Sequence, residues 1–363
     1  MLGATDDGRQ PESEPRRRER GNGRQPARNG NGRGFPIDVR LLGLAGVLVV
    51  LCLIGYITRP ETFLTEENFS TMLRLAAAIG VVSVGMTFVI IAGGIDLSVG
   101  SMVALSSVWM TTLATQSFGP VVMVLCALLV GLASGLINGV VIAYGKVVPF
   151  ITTLAMMASA RGLAERLSER RTQVVTETGF SDFFRGNVLG IPVLVWMLAA
   201  VFVIGWVVLN RTTFGRRTFA IGGNAEAARL SGINVKLHTA LVYGIGGLCC
   251  GIAAVMVVAR TTSGASTNGL FYELDAIAAV VIGGTLLSGG RGSLIGTLIG
   301  VLIFTVLNSI FTQNNLDTDI QNIAKGVIIV AAVLLQHTTS ARRKGKPRAP
   351  GEVNSSQLSG SKS

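Results

Sequence analysis

The sequence predicts an all-α polytopic membrane protein with about ten transmembrane helices, and three observations carry that prediction. Between Ala45 and Gln336 the chain is a nearly unbroken series of apolar stretches, too long and too charge-poor for water to be the folding solvent. Apolar residues make up 49% of the 363 and charged ones 14%, and the 46 glycines suit helices whose backbones approach closely in lipid. The formal net charge is +11, yet the basic residues collect at the two ends and in one long loop. That placement encodes membrane topology and argues against a nucleic-acid partner.

Residues 1–40 are polar and rich in Arg, Gly, Pro and Asn, which reads as a disordered basic tail with no secretory signal before Leu41. Arg16, Arg17, Arg18, Arg20 and Arg40 set it in the cytoplasm. The first span is 41–57, followed by a loop bearing Glu61, Glu66 and Glu67 on the outside. The second, 72–92, returns inward to Gly93 and Gly94. The third covers 98–116 and the fourth 120–143, ending at Lys146 inside. A weaker fifth, 147–164, contains Arg161 and places Pro149 where a first helical turn accepts it. Residues 165–189 are polar with mixed charge, and the sixth span, 190–209, leads to the long basic loop 210–237. Four more spans follow, at 238–259, 274–290, 293–312 and 320–336. A basic tail, 339–363, keeps the C-terminus inside as well and reads as disordered.

The four cysteines, Cys52, Cys126, Cys249 and Cys250, lie inside apolar segments without metal-ligand spacing and read as small packing residues. A faint echo links IAGGIDLSVG at 91–100 with VIGGTLLSGG at 281–290. It is either the trace of a duplication, of the kind that places paired broken helices near a permeation path, or chance among many glycines.

The segment from Ile90 to Ser107 holds a single carboxylate, Asp96, directly after Gly93 and Gly94. A carboxylate at membrane depth is costly unless satisfied. Asp96 and Ser98 therefore either cap the next helix at its positive end or line and gate a path at a helix break. Asn138, Asn308, Thr152, Thr153, Ser106 and Ser107 supply further uncharged polar groups, suited to the hydroxyls of a sugar or to helix–helix hydrogen bonds.

In the basic loop, Gly222 to Val235 reads GGNAEAARLSGINV. Glu226, Ala227 and Ala228 followed by Gly232 give the spacing E-A-A-x-x-x-G. The pattern predicts a short amphipathic helix with Asn224 as cap, Gly232 as stop and Ala227, Leu230 and Ile233 on its apolar face. Such a face needs a partner, either another protein or the membrane surface.

Three segments, IAGGIDLSVGSMVALSS, GGNAEAARLSGI and AIAAVVIGGTLLSGGRGSLIGTLIGVLI at 276–303, occur in this order. Together they resemble the ribose, xylose and galactose permease family of bacterial ABC importers, membrane subunits of the branched-chain-amino-acid type. The resemblance covers about residues 40–338 and implies a type II ABC importer-like permease domain at 41–338, with 210–237 as its cytoplasmic coupling loop. It further implies a second permease subunit in a homo- or heterodimer, ABC ATPase subunits that bind the ATP and magnesium, and a solute-binding protein. The cargo would be a pentose or hexose, and the address the bacterial plasma membrane. Glu226, Ala227, Ala228 and Gly232 resemble the coupling helix that docks on the ATPase. The distal Ile-x-Leu-Pro of the fuller signature is missing, so only its first half supports that assignment.

The chain has no G-x-x-x-x-G-K-[ST]. Gly139 to Val147 comes nearest, with Val147 where a magnesium-ligating hydroxyl belongs, so no cofactor is expected in this chain. His238 and His337 fall at span boundaries and form no catalytic set. An ion-coupled secondary transporter is the competing class, but it would carry buried ionisable groups along its path, where Asp96 stands almost alone.

Overall fold

A computed structural model describes residues 39–344, so the tails read as disordered lie outside the described residues except at their inner edges. Fifteen helices and four two-residue strands occupy the described residues. Helices α1 (Val39–Thr58), α2 (Pro60–Phe63) and α3 (Glu66–Ile91) open the chain, followed by α4 (Val99–Met110), α5 (Leu113–Gln116), α6 (Pro120–Ala143) and α7 (Pro149–Leu167). A compact connection holds β1 (Gln173–Val174), α8 (Thr178–Arg185), β2 (Asn187–Val188) and β3 (Ile191–Pro192). Next come α9 (Val193–Arg211), α10 (Thr213–Gly223), α11 (Ala225–Leu230) and α12 (Val235–Thr261). The chain closes with β4 (Ser263–Gly264), α13 (Tyr272–Ile282), α14 (Leu294–Gln313) and α15 (Thr318–Lys344).

Helix boundaries follow local chemistry. Pro120 and Pro149 each occupy a first turn, where a missing N–H costs nothing. Thr65, Asn234 and Ser293 accept an N–H three residues on and so start α3, α12 and α14. The polar connection 165–189 is partly ordered: β1 pairs antiparallel with β4, Gln173 opposite Gly264, and β2 pairs with β3 through the turn at Leu189 and Gly190.

The count of ten spans is not confirmed. Helices stand at all ten predicted positions, and among the described residues six of them, α1, α3, α6, α9, α12 and α14, are long and apolar enough to cross a bilayer. At 98–116 the chain forms the 12-residue α4, and at 274–290 the 11-residue α13. At 1.5 Å per residue each reaches only about 18 Å or less, against roughly 30 Å of hydrocarbon. Helix α7 is broken up chemically by Arg161, Glu165 and Arg166, and α15 runs on to Lys344, beyond the predicted end at 338.

The short helices are central. Every residue of α4 except Trp109 is buried, as is α3 from Ala76 to Ile91, and both pack on the middle of α12. By contrast α1 exposes Leu42, Val47, Val50, Leu53 and Ile57, a surface suited to lipid. Its inner side, with Leu48, Leu51 and Cys52, packs on Phe63, Val306 and Ile310.

Helices α6 and α12 show why glycine is abundant. On α6 the stripe Gly131, Gly135 and Gly139 faces Gly251, Gly247 and Ala240 of α12. A Cβ on Gly135 would stand 2.8 Å from Gly247 Cα, and one on Gly139 2.6 Å from Ala240 Cα. Backbones this close gain dispersion contacts and leave no room for a methyl group, the small-xxx-small packing of helices in lipid. All four cysteines carry free thiols, with Cys249 and Cys250 buried in the core as packing residues.

Candidate translocation and coupling site

Helix α3 ends in a Schellman closure. Gly93 N–H donates to Ile90 O and Gly94 N–H to Val89 O, with Gly93 at φ +87°, a conformation glycine adopts without strain. The chain then crosses 92–98 without helix and re-enters α4 at Val99. Asp96 satisfies this break locally. Ser98 donates its backbone N–H (2.8 Å) and its hydroxyl (2.5 Å) to Asp96 Oδ1, and Asn138 Nδ2 of α6 donates to Ser98 Oγ (2.9 Å). The N-cap of α4 is Ser98, yet its side chain makes no capping bond. Asp96 accordingly shapes the turn in front of the helix and does not cap the helix itself, because its oxygen is used by Ser98 before the first helical N–H groups are reached.

Asp96, Ser98 and Asn138 are completely buried, at 0% exposure. Asp96 Oδ2, Asn138 Oδ1 and the Tyr243 hydroxyl of α12 have no hydrogen-bond partner. Tyr243 presses its hydroxyl on the Cα side of Gly94, where a Cβ would collide with it. Two open acceptors against one hydroxyl is a donor-poor site, matched by a molecule rich in O–H groups. Reaching it requires the break to open, since the helices seal it in this conformation.

Thr153 joins the same break by donating to Ile95 O at 3.4 Å. The other predicted polar residues do not. Thr152 bonds back to Val148 O of its own helix, and Ser107 belongs to a separate group with Ala104 O, Ala265 O and Asn268. The Ser106 hydroxyl is buried without a partner, and no hydrogen bond ties Asn308 of α14 to Asp96 among the described residues. Asp96, Ser98, Gly93, Gly94 and Asn138 thus come together, and Asn308 Oδ1 is a buried oxygen without a hydrogen-bond partner.

The segment echoing 91–100 ends α13 in the same way. Gly284 N–H donates to Val281 O and Thr285 N–H to Val280 O, with Gly284 at φ +101°. The two closures correspond with Gly93 matched to Gly284, one residue off the register of the sequence echo. They also touch: Gly290 N–H donates to Ile91 O at 2.9 Å, and a Cβ on Gly289 would lie 2.9 Å from Gly93 Cα.

In the basic loop, Asn224 accepts from Ala227 N–H at 2.9 Å and starts α11. Gly232, at φ +83°, closes it as Ile233 N–H returns to Ala228 O. Ala228 is buried, whereas Ala227 and Leu230 face outward, Leu230 with 74% of its surface exposed. Glu226 and Arg229 pair at 2.6 Å on the outer side. The Arg229 guanidinium, hydrogen-bonded to Glu226, holds that carboxyl below the usual carboxylate range and is itself raised.

Helix α10 and its anchor escaped the sequence reading. His238, expected at an interface, is buried and bonds Thr218 Oγ1 at 2.9 Å, with its ring 4.2 Å from that of Phe214. Asp275 is also buried and pairs with Lys325 of α15 at 3.3 Å. The signals were a Thr212 cap before an apolar run, and a carboxylate one turn into an apolar segment. No group of three or more metal-ligating side chains occurs among the described residues.

A buried bundle with two half-length helices meeting at glycine breaks, and a capped amphipathic helix held outside it, defines a multi-pass membrane permease. The chain belongs to the family described as branched-chain amino acid transport system / permease component, whose model matches residues 68–333. It is 45% identical to the ribose import permease protein RbsC of Bacillus subtilis over 296 residues, 81% of this chain and 92% of that one. It is 39% identical to the ribose import permease protein RbsC of Escherichia coli K12 over 85% of this chain and 97% of that one. The galactose/methyl galactoside import permease protein MglC of the same organism is 36% identical over 86% and 99%. No solved structure matches.

Proposed function

We propose that this chain is the membrane-spanning permease subunit of an ATP-binding-cassette importer that moves a monosaccharide delivered by a solute-binding protein. The observation that carries the reading is the exposed, capped helix α11, whose Ala227 and Leu230 lack a partner within the described residues. ATP and magnesium are bound by separate ATPase subunits, on which Glu226, Ala227, Ala228 and Gly232 dock. A second permease copy or homologue completes the path, and both termini face the cytoplasm. The ribose and galactose import permeases among its relatives support a sugar cargo. The open acceptors around Asp96 support it too, since a sugar brings hydroxyl donors.

Uptake in vesicles tests this reading. Reconstituted with its ATPase and binding protein, the permease is expected to accumulate ribose or galactose only with ATP. Accumulation by the permease alone, driven by a proton or sodium gradient, would overturn it.

A further inference from the structure

We infer that Gly93, Gly222, Gly289 and Gly290 form a side-chain-free junction through which displacement of α11 reaches both helix breaks at once. The inference rests on α11 being the ATPase-docking helix. Gly222 lies in the last turn of α10, two residues before the Asn224 cap of α11. A Cβ there would overlap Ile91 O and stand 2.6 Å from Gly290 N, the two atoms that hydrogen-bond across the breaks. From the other side, a Cβ on Gly289 would meet Gly222 O and Gly93 Cα, both at 2.9 Å, and one on Gly290 would meet Gly223 Cα at 2.8 Å. The backbones of the two breaks and of α10 are thus in direct contact, with no flexible side chain between them to absorb a shift.

Helix α10 is also held from behind. His238 of α12 bonds Thr218, and the Phe214 ring stacks beside it. With α10 fixed to α12 at that end and to both breaks at the other, rotation of α11 must move the breaks relative to α12. Packed interfaces of this kind switch between discrete arrangements and do not deform continuously. The breaks contain Asp96 on one side and the α13 closure on the other, so the junction couples the ATPase side to the buried polar site.

Adjacent glycines supply the test. Gly222 and Gly223 share the end of one helix and the same helix-propensity change on becoming alanine. Yet a Cβ on Gly223 meets nothing within 4 Å. In vesicles containing permease, ATPase and sugar-loaded binding protein, Gly222→Ala and Gly289→Ala are expected to lower uptake about tenfold while ATP turnover continues, with Gly223→Ala near parental. Parental uptake by Gly222→Ala, or equal loss in Gly222→Ala and Gly223→Ala, would overturn the inference. Loss of the assembled complex in both Gly222→Ala and Gly289→Ala, with no uncoupled turnover, would also overturn it by showing a purely structural contact. Co-purification of the ATPase with Leu230→Asp checks the docking reading separately: undiminished binding would sink that reading and remove the displacement the junction is inferred to carry, whereas parental uptake by Gly222→Ala with binding lost in Leu230→Asp would sink the junction alone.

Discussion

Lys325 Nζ of α15 lies 3.3 Å from Asp275 Oδ1 of α13, an ion pair in which the aspartate is almost completely buried. It fastens the half-length α13, which cannot span alone, to a helix at the edge of the bundle.

Removing one partner strands the other. Lys325→Met leaves a buried carboxylate uncompensated, which typically costs about 3 to 5 kcal/mol, whereas removing both charges together is often close to neutral. The expected order of thermal stability in purified permease is therefore parental and the double variant Asp275→Asn/Lys325→Met together, with Lys325→Met well below. A single variant as stable as the double would show that lipid headgroups or water already satisfy Asp275.

The spans α1, α3, α6, α9, α12 and α14 were legible because length and apolarity alone define them, and Asn224 and Gly232 because capping chemistry is local. The half-length helices were not. The third span was carried on to 116, but the polar run Thr111, Thr112, Thr115 and Gln116 ends α4 at Met110, and Thr112 caps the separate short helix α5. Asp96, Ser98 and Asn138 were named from their chemistry, but Tyr243 was hidden in an apolar run. The meeting of Gly93, Gly222 and Gly289 brings three distant segments together, which no local pattern reports.

Gly94 and Tyr243 make a paired prediction. A Cβ at Gly94 would strike the Tyr243 hydroxyl first, with the ring carbon Cζ next at 3.2 Å. That hydroxyl has no hydrogen-bond partner, so Tyr243→Phe should change stability little. Gly94→Ala is expected to lower uptake and thermal stability, and the added Tyr243→Phe to recover a large part of both. A double variant no better than Gly94→Ala would mean that Val89, 3.2 Å away, sets the limit instead.

On α11, Glu226 and Arg229 are both exposed, so their pair adds little stability, and on the proposed docking role its value lies in the shape of that face. Glu226→Lys sets a cation beside Arg229 and should abolish coupled uptake with normal amounts of permease in the membrane. Because Arg229 depresses the Glu226 carboxyl, the pair is kept above the ordinary carboxylate range and is lost as pH falls through the lowered value. ATPase binding to the parental permease should therefore be flat from neutral pH down to the carboxylate range. A fall in binding near neutral pH that disappears in Glu226→Gln would contradict this.

Asp96 gives the sharpest contrast between chemistry and shape. Its Oδ1 receives two hydrogen bonds from Ser98, and Ser98 in turn receives one from Asn138, so three residues of two elements depend on a single oxygen. Asp96→Asn keeps an acceptor there, while Asp96→Ala leaves the buried Ser98 N–H and hydroxyl unpaired, at about 1 to 3 kcal/mol for each such group. We expect Asp96→Ala to lose most uptake with at most a moderate loss of inserted protein, and Asp96→Asn to retain clearly more. Sugar uptake and membrane-inserted protein, measured together in the two variants, decide it. Near-parental uptake by both would show that the break holds its shape without the side chain and that the open oxygens of this site take no part in transport.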